Sequence, residues 1–394
     1  MREIMLIIKL AIKNLLGAGL RTWLNVIALS FSYVAIIFMQ GLYAGMNNQM
    51  EASTIKVQYG GGQYWHELYD PYDPLSLDDS HAKIPNEISG LIKNNDAASI
   101  LINQGSIYPN GRMQNILIKG IDPNQKILAI PTHFLNNENG FIPALIGGRM
   151  AKSSGLKKGD FVTIRWRDAK GTFDADEVKI VEVINTEVSE IDNGQIWIPL
   201  DKMREMTVMP GEATLIVLKQ NSQFTKNLSG WEFKNLDFLL ADLRSLATTK
   251  SAGASIFYFV LLFLAMLAIF DTQILSIFRR RKEMGTLMAL GMTRSTLIKL
   301  FTLEGSMHAV LAAFAAMLYG GPLVWYIAKV GYGLPASTDS FGFALGDRIY
   351  PEFTALLIIG TILLVLTVTS IVSYLPTRRI AKLKPTDALR GKLI

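Results

Sequence analysis

The sequence predicts a membrane protein: four transmembrane helices, one plus three, with a large mixed α/β extracytoplasmic domain inserted between helices 1 and 2. Three observations predict it. Half of the 394 residues are hydrophobic and only 18% are charged, against about 25% in an average soluble domain. Four stretches, 22–44, 253–278, 305–328 and 353–375, are long and apolar enough to cross a bilayer, which takes about 20 such residues as a helix. Charge, finally, is sorted by segment. Residues 1–21, 278–301 and 376–394 together carry a net +13, whereas 45–252 hold 21 cations and 25 anions.

Short cation-rich segments stay on the cytoplasmic side of a membrane. Residues 1–21, the 279–304 loop and the tail 376–394 are therefore expected inside, and 45–252 and the loop 329–352 outside. The basic excess then reports orientation and contact with anionic membrane lipids, not nucleic acid.

The elements follow in order. "EIMLIIKLAIKNLL" (3–16) reads as an interfacial amphipathic helix, Lys9 and Lys13 sharing one face. Those same lysines, and the full span that follows, argue against a cleaved signal peptide. Within 45–252, "ASILINQGSIYPNGRMQNILIKGID" predicts a hairpin turning at Asn110-Gly111. "GGRMAKSSGLKKGDFVTIRW" reads as a short helix, a turn and a strand from Phe161. "DEVKIVEVINT", "GQIWIPL" and "ATLIVLKQ" supply further strands, and "PLDKMREM" a helix. A segment of this size can bury its own core.

Most catalytic chemistry finds no carrier. There is no cysteine, so thiolate metal sites, disulfides and cysteine nucleophiles are excluded. No G-x-x-x-x-G-K-[ST] loop occurs, the four histidines have no metal-ligand spacing, and no G-x-S-x-G elbow is present. The chain is expected to be non-catalytic and to bind no cofactor or metal. Two polar residues in the spans invite a role by default. His308 is either functional or an imidazole bonded to a neighbouring helix; Asp271 either contacts another helix or is steadied by the cations near Arg279. In "YGGGQYWHELYDPYDP" (59–74), Tyr64, Trp65 and Tyr69 either grip a partner or pack on their own domain.

The most informative stretch joins the second and third spans: "FRRRKEMGTLMALGMTRSTLIKLFTLEG" (278–305). Arg279, Arg280, Arg281 and Lys282 form a basic cluster suited to anionic headgroups, joined in this reading by Arg378 and Arg379 of the tail. Met284, Leu287, Met288 and Gly291 fall at i, i+3, i+4 and i+7, one face of a short helix. Gly291 is placed to end it, and Thr293 or Ser295 to cap the next. The expectation is a short helix with an uncovered apolar stripe, to be covered by lipid or by a protein partner.

This stretch strongly resembles the signature of FtsX/MacB-type ABC transporter permeases, in which a cation run, a Glu, a Gly and an Ala-x-Gly form the helix that docks on the ATPase. Those positions are here Arg279 to Lys282, Glu283, Gly285, Ala289 and Gly291, followed by Leu303-Glu304-Gly305. The tail "YLPTRRIAKLKPTDALRG", the head "AIKNLLGAGLRTWLN" and "GGRMAKSSGLKKGDFVTI" are similar to the family's closing pattern, leading helix and outer-domain core. The absence of a fused ATPase, with "TIKVQYGGGQYW" and "DSFGFALGDRIYP", is nearest to the lipoprotein-releasing, LolC/LolE-like branch. The resemblance implies a multi-pass protein of the bacterial inner membrane with both termini cytoplasmic. It implies coupling residues Glu283, Met284, Gly285, Leu287, Met288, Ala289 and Gly291, and a separate ABC ATPase that binds ATP and Mg. It also implies a homo- or heterodimeric permease partner and mechanotransmission that releases or transfers lipoproteins or other periplasmic proteins. Export of peptides or drugs with outer partners, or signalling to a cell-wall hydrolase, are the alternatives within the same family.

Overall fold

The computed structural model describes residues 19–136, 140–184, 188–333 and 348–380. The helix expected at 3–16, and most of the tail, lie outside them. Contacts divide the chain into two units, one built on the apolar helices and one on residues 47–246.

The membrane unit contains four helices long and apolar enough to cross a bilayer: Leu20–Thr54, Ala241–Arg279, Arg294–Val330 and Ala355–Ile380. The first three have 35, 39 and 37 residues. At 1.5 Å per residue each runs over about 50 Å, well beyond the roughly 30 Å hydrocarbon core. Hydropathy sees only the apolar middle of each helix. The third helix packs through small residues. Ala309, Ala312, Ala316 and Gly320 are buried along it, and a side chain on Gly305 would collide with Ser373 of the last helix and Gln273 of the second. Ser306 Oγ meets Ser370 Oγ at 2.8 Å beside that contact. Lipid is as apolar as leucine, so close backbone approach and buried hydrogen bonds hold such helices together. Val26, Leu29 and Tyr33 of the first helix complete this core with Leu262, Ile269 and Val365.

The inserted unit is a sheet domain. Its strands are β1 (Gln63–His66), β2 (Ala82–Lys83), β3 (Ala97–Ile107), β4 (Gln114–Ile121), β5 (Ile142–Gly147), β6 (Phe161–Arg167), β7 (Phe173–Ile184), β8 (Gln195–Pro199), β9 (Glu212–Ala213), β10 (Leu215–Leu218) and β11 (Trp231–Lys234). Nine of them form one sheet in the order β11-β1-β10-β3-β4-β8-β5-β7-β6. β6 also pairs back to β3, Gly105 to Ile107 against Ile164 to Trp166, which closes the last six strands into a barrel. β3 achieves this by its length. Ala97 to Ile100 pair with β10, and Gly105 to Ile107 pair with β6, on the edge opposite β4.

Alternation sorts the side chains. Ile116 and Ile118 of β4, Ala144 and Ile146 of β5, and Ile196 and Ile198 of β8 enter one core, with Val162, Ile164 and Trp166 of β6. Their neighbours Ile121, Leu145 and Trp197 enter a second core on the other face, with Ile100, Leu215 and Val217. The predicted hairpin is β3–β4, its turn carrying Asn110 at φ 52° and Gly111 at φ 77°, the left-handed conformations that these residues tolerate best. The predicted helices are present at Gly148–Ser154 and Leu200–Thr207. Within the aromatic stretch 59–74, Gln63–His66 is a regular strand between β10 and β11.

Candidate functional site

The loop between the second and third long helices folds as the short helix Arg281–Ala289. Gly291, at φ 99°, terminates it. The Thr293 side chain then accepts a hydrogen bond from the Thr296 backbone N–H, capping the next helix at Arg294.

The apolar stripe of this helix is not uncovered. Met284 is only 3% exposed, packed on Ile277, Leu297 and Phe301 of the flanking helices, and Leu287, Met288 and Met292 are half-buried against the same cluster. The sequence-based expectation is corrected on this point. A helix joining two long helices by tight turns folds back on their ends, and those ends supply the missing apolar partners. Gly285 is buried as well. The face left to solvent carries Lys282, Glu283, Thr286, Ala289 and Leu290, the last 80% exposed.

The basic cluster is also divided. Arg279, Lys282 and Arg378 are exposed as a headgroup role requires; the side chains of Arg281 and Arg379 lie outside the described residues. Arg280 has a different job. Its Nη1 donates to both carboxylate oxygens of Glu304 at 2.9 and 3.0 Å, and its Nε donates to Glu283 at 2.8 Å. The guanidinium lies 5.0 Å from the centroid of the Phe301 ring. Burial by itself lowers the Arg280 pKa, but the two carboxylates more than compensate and the net displacement is upward. Glu304 is 6% exposed, so this ion pair ties the end of the second helix and the short helix to the buried start of the third. Sequence reasoning did not pair these residues. The available signal was a carboxylate in an otherwise apolar helix, which requires a partner.

The two intramembrane polar candidates separate. His308 is buried, and its Nδ1 lies 3.1 and 3.3 Å from the backbone carbonyls of Glu304 and Gly305, in its own helix and not a neighbouring one. Asp271 lies on an exposed face of the second helix, in line with Leu267 and Leu275.

In the inserted domain the aromatic trio separates too. Tyr64 is fully buried in the core of its own domain, its hydroxyl donating to the Lys226 carbonyl at 2.8 Å. Trp65 and Tyr69 pack edge to face with ring centroids 5.2 Å apart, and both line a cavity of about 750 Å³. Among the described residues, no group of three His, Asp or Glu side chains is placed to hold a metal ion.

Residues 255–385, about a third of the chain, match the family model described as "FtsX-like permease C-terminal". Among solved structures, the "crystal structure of the extracellular domain of noncanonic ABC-type transporter YknZ from Gram-positive bacteria" aligns with 41% of this chain and 84% of that one, at 13% identity and a TM-score of 0.26. No curated protein matches the chain. The matched stretch holds most of the second long helix, the third and fourth, the short helix between the second and third, and the Arg280–Glu304 pair. The likeness to FtsX-like permeases thus lies in residues 255–385, their C-terminal portion.

Proposed function

We propose that this chain is the membrane subunit of a mechanotransmitting ABC transporter, in which a separate ATPase docks on the short helix Arg281–Ala289 from the cytoplasmic side. The observation that carries the reading is the construction of that helix. Its inner face is locked to both flanking helices by Met284 and by the Arg280–Glu304 pair. Its outer face presents Thr286, Ala289 and Leu290. A force applied to such a helix is passed to two membrane helices together and not absorbed by a slack loop. Both termini are cytoplasmic in this reading, on the charge asymmetry of the sequence, and the inserted domain is outside. The ATP and Mg belong to the ATPase, and a second permease chain completes the assembly.

Leu290→Asp is expected to abolish co-purification of the ATPase while leaving the thermal midpoint unchanged, because a charge in the docked groove would be desolvated but Leu290 is free of its own core. Leu287→Asp, half-buried in the cluster, should lower the midpoint instead. ATPase recovered at wild-type yield with Leu290→Asp overturns the docking face.

For the cargo we propose a lipoprotein, on the likeness of residues 54–65 to the lipoprotein-releasing branch. ATP turnover of the assembled complex in vesicles should rise more with an acylated protein than with the same protein unacylated. An equal response to both forms, with stimulation by a small hydrophobic drug, favours the exporter; no response to any cargo favours signalling.

A further inference from the structure

The large sheet of the inserted domain closes at one end, where β6 pairs back to β3, and stays open at the other. There β11 has β1 on one side and, among the described residues, no strand on its other side. Its main-chain groups divide by parity. The His66 N–H donates to the Thr214 carbonyl at 3.0 Å, so the even residues of β1 turn to β10 and the odd ones to β11. Gln63 and Trp65 therefore bond their register partners Lys234 and Glu232, and the Glu67 N–H continues the ladder to the Gly230 carbonyl at 3.1 Å. Phe233 points its N–H and carbonyl away from the sheet. The Trp231 carbonyl and the Asn235 N–H point the same way, while the Trp231 N–H donates to the Leu228 carbonyl. Asn235 is still extended, at φ −76° and ψ 168°.

An open edge is a template for another strand, and the side chains here specify which one. Glu232 and Lys234 share the face of Trp65; the carboxylate is 65% exposed and receives the Lys234 ammonium at 2.6 Å. Phe233 lies on the opposite face, half-buried against Tyr64. An edge guarded by charges of one sign repels a copy of itself. In β11 an anion and a cation flank Phe233 symmetrically.

We infer that β11 pairs antiparallel with β11 of a second copy, about a two-fold axis at Phe233. In that register Phe233 and the partner's Phe233 exchange both main-chain hydrogen bonds. Each Asn235 N–H meets the Trp231 carbonyl of the other chain, so every outward group is used. Glu232 comes opposite the partner's Lys234, and Lys234 opposite the partner's Glu232, at the closer spacing of about 4.5 Å between Cα atoms. Sliding by two residues in either direction would set Glu232 or Lys234 against itself, so the charges also fix the register. Such a contact is isologous and closes at two chains. Free proteins need about 1,000 Å² of buried surface to pair stably, but chains held in one membrane meet at a far higher effective concentration. The seam rests on the reading that a second permease chain completes the assembly, and makes that chain a second copy.

The test co-expresses two differently tagged copies of the full chain, one Glu232→Cys and one Lys234→Cys; the chain has no cysteine of its own. Oxidation in the membrane should link the two tags, since these positions face each other within disulfide reach. Glu232→Cys paired with itself should link about tenfold less, because its two sites lie about 8 Å apart, two residues along and one strand across. Charge supplies a measure without cysteine. Copies of Glu232→Lys alone, or of Lys234→Glu alone, should co-purify about tenfold less than wild type, since like charges then stand opposite. Glu232→Lys expressed with Lys234→Glu should recover pairing, although neither chain keeps its internal ion pair; that recovery separates the seam from a loss of folding. Equal linking of both cysteine combinations, no linking, unchanged co-purification of the single variants, or no recovery in the mixed pair overturns the seam. A light-scattering mass of two copies beside any of those results leaves the two-chain assembly standing; a mass of one copy removes the second copy as well.

Discussion

Arg280→Met should destabilise the full chain by about 3–5 kcal/mol, seen as a lower thermal midpoint in detergent. The substitution keeps an apolar stem against Phe301 but removes the guanidinium that lies between Glu304 and Glu283. Glu304 is then a carboxylate 6% exposed without its cation, and breaking a buried pair from one side costs that amount. Glu283→Ala should cost below about 1 kcal/mol, since that carboxylate is largely in solvent. The double variant Arg280→Met/Glu304→Leu should recover most of the loss, because both charges go together. If Arg280→Met and the double variant melt alike, the pair is not what joins the short helix to the third long helix.

Gly105→Val should open the barrel. A Cβ at Gly105 would lie 2.5 Å from Ile118 Cδ1 and 2.8 Å from the Arg165 carbonyl. Both contacts sit where β3 receives β6 on one edge and β4 on the other. A side chain could shift, but the carbonyl belongs to a paired strand. Overpacking of this kind costs about 1–3 kcal/mol, paid where the closure depends on three residue pairs. Hydrogen exchange should accelerate at Arg165 and Trp166 while β1, β10 and β11 keep their protection. Uniform protection across the domain in the variant would mean that the β3–β6 seam contributes nothing to closure.

Some of this was legible from local pattern. The hairpin at Asn110-Gly111, the helices at Gly148 and Leu200, and the Gly291 and Thr293 boundaries each follow from one or two residues whose backbone preferences admit few conformations. The span count followed from the length of apolar runs. The apolar period at Met284, Leu287 and Met288 marks one helix face, but which surface covers it is not a property of the period. Ile277, Leu297 and Phe301 lie in the flanking helices, and only the fold back of the chain brings them there.

The sequence by itself determined the number of membrane helices, the place of the inserted domain, most of its strands and the likeness of the 278–305 stretch to a known signature. These depend on interactions within a few residues or on transfer from water to lipid, which composition records directly. Tertiary structure alone decided the rest. It joined Arg280 to Glu304 across 24 positions, returned β6 to β3 to close a barrel, and set Gln195 and Trp197 beside a cavity walled by residues from 65 to 238. Pairings of that kind have no periodic trace in one sequence, because the energy that selects them is the burial of surfaces contributed by distant segments at once.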